Sequence, residues 1–386
     1  MRSGSTSFDF ATAGRVVVGA GRSAELGGLI AGLGSRALVC TGSHPERHRP
    51  ILDRLDLPTA IVRVTGEPTV EDARAAVAAG RDHQADLVVG IGGGSVLDVA
   101  KAVAMLLGNG GDPLDYLEVV GRGLPITRAS VPYAAVPTTA GTGAEVTENA
   151  VLASPQHNRK ASLRSRYMLP RLALVDPSLA IACPPEVTAA SGLDALTQCL
   201  EPYVSARATA LTDVLAAEGL RRAAFGLRAA YLDGGDLDAR TNMAICSLLS
   251  GMSLANAKLG AVHGLAGVIG GMVEAAHGAI CAALLAATVE VNVRALRTRE
   301  PENPALSRFD HVASILTGKP DAGVQDGLAW IRETVQLLRV PGLAELGLRL
   351  DHLPDIVAGG RASSSMAGNP ITLTDVELHA ILETSM

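Results

Sequence analysis

The stretch DLVVGIGGGSVLDVAK, residues 86–101, decides the fold. Its first half is a β-branched apolar run, the pattern of a strand buried on both faces. Its second half carries apolar residues at helical spacing. Gly92, Gly93 and Gly94 lie between the two. Without Cβ atoms they let the backbone approach a pyrophosphate, Ser95 is placed to cap the helix, and the free N–H groups of a helix start suit negative charge. A tight strand-to-helix turn is the plainer reading, but three consecutive glycines are costly in conformational entropy. The G-K-[ST] of a P-loop is missing, which argues against an NTPase.

Outward from this stretch, β-branched runs at 15–19, 37–42, 60–64 and 133–139 alternate with helical spacing at 22–33, 71–83 and 96–107. A further strand and a proline turn occupy 171–179. Such alternation predicts a parallel sheet covered by helices. Gly19-Ala20-Gly21-Arg22-Ser23-Ala24 also fits a dinucleotide fingerprint. The acid expected about 20 residues later is absent, since that strand ends Cys40-Thr41-Gly42-Ser43, so a plain turn is favoured. Beyond about residue 180 the pattern becomes helical, at 184–205, 207–230, 238–256, 278–298, 322–337 and 373–384. The expected division is an α/β domain over 1–180 and an all-α domain over 181–386, packed closely with a ligand cleft between them.

Hydrophobic residues make up 48% of the 386 and aromatic ones 3%, so the core is aliphatic. The formal charge of −6, with no basic run, gives no footprint for nucleic acid. Cys40, Cys183, Cys199, Cys246 and Cys281 are odd in number and scattered, as in a reduced cytoplasmic protein. The N-terminal residues lack a signal-peptide run and no stretch reads as a membrane span.

A second segment raises a question of its own. LGAVHGLAGVIGGMVEAAHGAI (259–280) carries two His-Gly pairs, at His263 and His277. Fourteen helical residues at ~1.5 Å each would separate them by roughly 21 Å, so a shared metal requires the chain to fold back, with Gly270-Gly271 the obvious place. A third ligand must come from elsewhere. On their own, the two read more readily as satisfied core histidines than as metal ligands.

GGGSVLDVAK (92–101), VPTTAGTGAEVT (136–147), Asp194 in GLDALTQ and the paired His-Gly segments together resemble the iron-containing (group III) alcohol dehydrogenase family, which includes maleylacetate reductases. The similarity runs in order from about residue 14 to Asn369-Pro370. It implies a dehydroquinate synthase-like two-domain fold, with a dinucleotide-binding α/β domain and a helical metal and substrate domain. It further implies NAD or NADP as cofactor, Fe2+ or Zn2+ as metal, a small alcohol or carbonyl substrate, and a homodimer or larger homo-oligomer. Carried over by position, Gly93, Gly94 and Ser95 bind pyrophosphate and Asp98 lines the nicotinamide side. Thr138, Thr139, Thr142 and Thr147 contact cofactor, Lys160 reaches the nicotinamide ribose and Leu179 flanks the nucleotide. The metal ligands are Asp194, Gln198, His263 and His277; His263, His277 and Lys160 are the catalytic candidates.

Four positions depart from the family pattern, the first being Glu67, which replaces the asparagine of an Asn-Pro-Thr turn. Gly42 stands where many members carry an Asp that repels the 2′-phosphate of NADP, with His44 and Arg47 just beyond. Gln198 replaces a ligand histidine four residues after Asp194; its amide oxygen is a weaker, neutral ligand. Gly267 replaces a histidine four residues after His263, which enlarges the pocket. Two metal readings stay open: a site for Fe2+, Zn2+ or Mn2+, and a vestigial one whose side chains bind each other. The expected activity is NAD(P)-dependent hydride transfer between an alcohol and an aldehyde or ketone. A metal-independent maleylacetate reductase-like enzyme and a non-catalytic nucleotide-binding protein are the alternatives.

Overall fold

The computed structural model describes residues 7–157 and 159–386. They form two compact units, an α/β unit over 11–139 and 143–181, and a helical unit over the rest.

The α/β unit contains β1 (Val16–Val18), β2 (Ala37–Thr41), β3 (Thr59–Arg63), β4 (Leu87–Gly92), β5 (Tyr133–Pro137), β6 (Asn149–Ser154), β7 (Arg159–Arg164) and β8 (Leu172–Val175). Six strands form one parallel sheet in the order β1-β8-β5-β4-β2-β3, as the alternating pattern predicts. Helices α1 (Leu26–Ile30), α2 (Arg49–Leu52), α3 (Val70–Asp82), α4 (Gly94–Asn109) and α5 (Pro113–Tyr116) connect the strands. The central strands β2, β4 and β5 are buried throughout, which their unbroken Val, Ile, Leu and Ala content makes favourable. The strand order reverses between β2 and β4, whose C-terminal ends lie level through the pair Thr41↔Ile91. Ligands of open α/β sheets bind at such a switch point, beyond the carboxyl ends of the strands. Here those ends are Gly42 and the Gly92–Gly94 turn.

Three local expectations change. The run at 22–33 is a 3-10 turn over Arg22–Glu25 followed by the single-turn α1, because Gly27, Gly28 and Gly32 weaken its helical preference. The hairpin β6–β7 was not expected; charged Arg159, Lys160 and Arg164 mask its alternating burial. Gly93, not Ser95, is the N-cap of α4. Ser95 lies within the first turn, and no side chain caps the free N–H groups.

In the helical unit, α6 (Pro185–Val204), α7 (Ala210–Leu232), α8 (Leu237–Ala257), α9 (Ala261–Ile269), α10 (His277–Arg299), α11 (Ala305–Thr317), α12 (Val324–Leu337), α13 (Leu353–Ala362) and α14 (Asp375–Thr384) pack around one apolar core. The chain bends by 99° between α8 and α9. It turns again after Gly270, the C-cap of α9, so His263 and His277 occupy separate helices as the doubled glycine predicts. α10 is long and apolar enough to cross a bilayer, but 78% of its apolar window is buried within the protein.

Beneath the glycine turn, α4 buries Lys101 completely. Its Nζ donates to Thr147 Oγ1 at 2.9 Å and to the Asn149 carbonyl at 2.7 Å, fastening the base of the hairpin to α4. Burial lowers the Lys101 pKa to about 8 against the pull of Asp98 and Glu145. Burial also raises Asp98 to about 6 and Glu145 to about 7, each partly offset by Lys101. Removing the cation leaves both carboxyls without it. Lys101→Met should therefore lower unfolding free energy by about 3–5 kcal/mol near neutral pH, below the Lys101 pKa. At pH 5 both carboxyls hold their protons, so the wild-type cation lacks ionised partners and the loss should shrink. Urea unfolding at the two pH values checks this; an equal penalty at both would contradict it.

Candidate functional site

In the α/β unit, Gly93, Gly94 and Ser95 form the start of α4 with its N–H groups free of side-chain caps. Thr138 and Thr139 follow β5 directly beside it. Thr138 N–H donates to the Gly92 carbonyl at 2.9 Å, and a Cβ on Gly93 would lie 3.3 Å from Thr139 Oγ1. Gly42 sits at the neighbouring strand end with open space where a Cβ would be. These six expected residues share the switch point.

The other expected cofactor residues are placed differently. Thr147 is buried with its hydroxyl oxygen accepting from Lys101, which gives it a structural partner. Asp98 Oδ2 accepts the Val151 N–H at 3.0 Å, tying α4 to the hairpin. Lys160 Nζ pairs with Glu67 Oε2 at 2.9 Å. Leu179 packs against the apolar core under the sheet, and Thr142 belongs to the helical unit. The second glycine turn is a plain turn for a specific reason. Asp176 Oδ1 accepts the Gly21 N–H and Asp176 Oδ2 the Ser23 N–H, both at 2.9 Å, so a carboxylate of the chain itself occupies the place an anionic ligand would take.

In the helical unit, α6 presents Asp194, Gln198 and Glu201 at i, i+4 and i+7, one face of the helix. α9 contributes His263, while α10 contributes His277 as its first residue and Cys281 one turn later. One donor atom from each of Asp194, His263, His277 and Cys281 lies within 4.8 Å of all the others. His263 Nε2 is 3.3 Å and His277 Nε2 4.0 Å from Asp194 Oδ1, and Cys281 Sγ is 3.6 Å from His277 Nε2. Asp194 Oδ1 and His263 Nε2 are buried and have no hydrogen-bond partner. Orphaned buried polar atoms are rare because each forfeits its hydration, and two that converge are the mark of a missing cation. The donor set therefore fits a divalent metal.

The surroundings orient these donors. Glu201 accepts the Val262 N–H and pairs with His263 Nδ1, both at 2.7 Å, which turns His263 Nε2 toward Asp194. Gln198 is hydrogen-bonded to both neighbours. Its Nε2 donates to Asp194 Oδ2 at 2.8 Å, which steadies that carboxylate, and its Oε1 lies 3.1 Å from Ser250 Oγ, whose one proton is also within reach of the Ser247 carbonyl at 2.8 Å. Burial opposes ionisation of Asp194, yet His263 and His277 outweigh it and hold the carboxyl below its usual range. Burial likewise opposes a charge on His263, but Cys281, Asp194 and Glu201 hold its pKa well above normal. Protons thus stand in for the cation, and metal binding must displace them.

Residues 13–177 match the model described as iron-containing alcohol dehydrogenase, and residues 188–386 match that described as Fe-containing alcohol dehydrogenase family, C-terminal. The chain belongs to the iron-containing alcohol dehydrogenase family. It is 39% identical over 326 residues to a 1,3-propanediol dehydrogenase of Klebsiella pneumoniae, covering 82% of this chain and 80% of that protein. A crystal structure of 1,3-propanediol oxidoreductase superposes with a TM-score of 0.89 at 30% identity, covering 98% of this chain and 100% of the other. A sulfoacetaldehyde reductase from Bifidobacterium kashiwanohense, solved with NAD+, superposes with a TM-score of 0.86 at 25% identity, covering 99% of each chain. This family member is accordingly an oxidoreductase of the alcohol dehydrogenase type.

Two residues of the dehydrogenase site escaped the motif reading. Cys281 had a signal, its i+4 spacing from His277. Glu201 had a weaker one, its i+7 spacing from Asp194. The glycine of the second His-Gly pair also has a defined task. A Cβ on Gly278 would lie 2.1 Å from the Ala190 carbonyl oxygen and 3.1 Å from Asp194 Cβ, so only glycine lets α10 lie this close to α6. The first pair is less constrained, since a Cβ on Gly264 meets the flexible end of Met366. Gly278→Ala should displace His277 from Asp194, weaken metal binding by about tenfold or more, and destabilise by about 1–3 kcal/mol. Gly264→Ala should do neither. Metal titration and thermal unfolding of both variants read this out, and similar behaviour of the two would contradict it.

Proposed function

We propose that this dehydrogenase catalyses metal-assisted interconversion of a small alcohol and its aldehyde or ketone, using NAD(H) or NADP(H). The converging, unpartnered atoms Asp194 Oδ1 and His263 Nε2 carry the metal part of the reading. They also count against the metal-independent alternative, in which the two atoms would be left as a His263–Asp194 ion pair at 3.3 Å without hydrogen-bond geometry. Residues 1–180 are assigned the dinucleotide, held at Gly93, Gly94, Ser95, Thr138 and Thr139, and residues 181–386 the metal and substrate. A cytoplasmic, homo-oligomeric enzyme completes the proposal.

When bound, a divalent cation at Asp194, His263 and His277 supplies Lewis-acid polarisation of a carbonyl, and a nicotinamide supplies the two-electron redox chemistry. The chain supplies position and exclusion of water. Glu201 fixes the ring of His263, Gln198 fixes the Asp194 carboxylate, and both carboxylates are buried. His277 keeps 37% of its side chain exposed, which marks the side open to a substrate. Gly267 has open space where a side chain would be, consistent with a bulkier substrate than a relative with histidine there accepts. Lys160, expected near the nicotinamide ribose, is already neutralised by Glu67 and would bring hydrogen bonding without net charge.

Gly42 bears on cofactor choice. Because a Cβ there meets nothing within 4 Å, an acid could be inserted without a clash, so Gly42→Asp tests charge rather than packing. The wild type should use NADP(H) within about a hundredfold of NAD(H), roughly 2.8 kcal/mol or less in kcat/KM. Gly42→Asp should weaken NADP(H) use by about tenfold or more through like-charge repulsion, leaving NAD(H) use little changed. A wild-type preference for NAD(H) beyond a hundredfold contradicts the dual-cofactor reading. Chelation should abolish activity, with recovery on adding Fe2+, Zn2+ or Mn2+; full activity in the chelated, metal-free enzyme would overturn the metal assignment.

A further inference from the structure

We propose that Cys281 is the fourth metal ligand, completing an Asp194–His263–His277–Cys281 site that selects zinc over ferrous iron. The inference rests on the metal reading above and deepens it. The residue at the helical i+4 position from Asp194, Gln198, sets its amide nitrogen 2.8 Å from Asp194 and its oxygen 3.1 Å from Ser250 Oγ, so the nitrogen, which is no metal ligand, lies on the Asp194 side. The vacant corner is filled from another helix. Cys281 lies i+4 from His277 on α10, so both side chains point to the same side, and its sulfur is buried within 4.8 Å of the other three donor atoms.

Two of three donor spacings fall in the range of tetrahedral coordination, and the third lies just above it. Bonds of roughly 2.0–2.3 Å set edges of roughly 3.3–3.7 Å between donors in a tetrahedron. The structure gives 3.3 Å for Asp194–His263, 3.6 Å for His277–Cys281 and 4.0 Å for Asp194–His277. Donor type then sets the preference. A carboxylate and two imidazoles accommodate iron or zinc alike, whereas exchanging a nitrogen donor for a thiolate favours the softer ion, zinc. Four protein donors do not exhaust zinc, which expands to five. The other cysteines are elsewhere: Cys199, for example, donates its thiol toward the Cys246 carbonyl in the packed core.

Cobalt(II) loading of the full-length, metal-stripped protein tests this directly, because cobalt reports thiolate ligation by a near-ultraviolet sulfur-to-metal charge-transfer band. The wild type should bind one equivalent with that band. Cys281→Ser should still bind cobalt but lose the band, and its preference for zinc over ferrous iron in anaerobic competition should fall by more than about tenfold. Cys199→Ala should keep the band. Cobalt bound by the wild type without the band, or a band persisting in Cys281→Ser, overturns the ligand assignment while leaving the metal site standing. No cobalt bound by the wild type overturns the metal reading itself. The wild-type spectrum decides independently of whether any variant folds.

Discussion

Asp194 is 2% exposed, and an ionised carboxylate at that depth costs several kcal/mol unless charge and hydrogen bonds answer it. One oxygen is answered, by Gln198. The other faces His263 and His277 with no hydrogen bond, and much of the helical unit follows from that demand. α9 must stop and turn so that two histidines reach one point from separate helices. α10 must lie against α6 closely enough that residue 278 can carry no side chain. Glu201, a further buried acid on α6, pairs with the far nitrogen of His263 and fixes which nitrogen faces inward. His263 therefore sits between two buried carboxylates, 3.3 Å from Asp194 and 2.7 Å from Glu201.

The α/β unit solves a different problem, presenting unpaired N–H groups to an anion. The two glycine-rich turns show how little the glycines alone decide. Around Gly19–Ala24 the amides face Asp176, so the turn is closed by the chain. At Gly92–Gly94 no side chain caps the start of α4, and this turn lies where the strand order reverses. Lys101 secures it from below by joining α4 to the β6–β7 hairpin, so a motif that reads as phosphate-binding also contains a buried structural cation.

The parallel sheet, the helical second half and the fold-back at Gly270-Gly271 were legible because each follows from local periodicity or from glycine. The hairpin was not, since its charged residues hide a short alternation. Ser95 does not cap α4: a serine after glycines suggests a cap, but Gly93 takes that position. In the site, Asp194, His263 and His277 could be read from their spacing within a known pattern. Gln198 could be recognised as a departure, yet its role depends on Ser250 from α8, 52 residues away, which no local pattern reports. Cys281 was visible among scattered thiols and overlooked because its partners lie on three helices.

In the proposed site four side chains from α6, α9 and α10 hold one cation. Anomalous diffraction at the zinc and iron absorption edges, on crystals of protein purified without added metal, tests it most directly. One peak per chain is expected, bonded to Asp194 Oδ1, His263 Nε2, His277 Nε2 and Cys281 Sγ, with the Gln198 amide outside the coordination shell. Ordered water bridging Asp194 and His263 with no anomalous peak, or a peak ligated by Gln198 in place of Cys281, would contradict it.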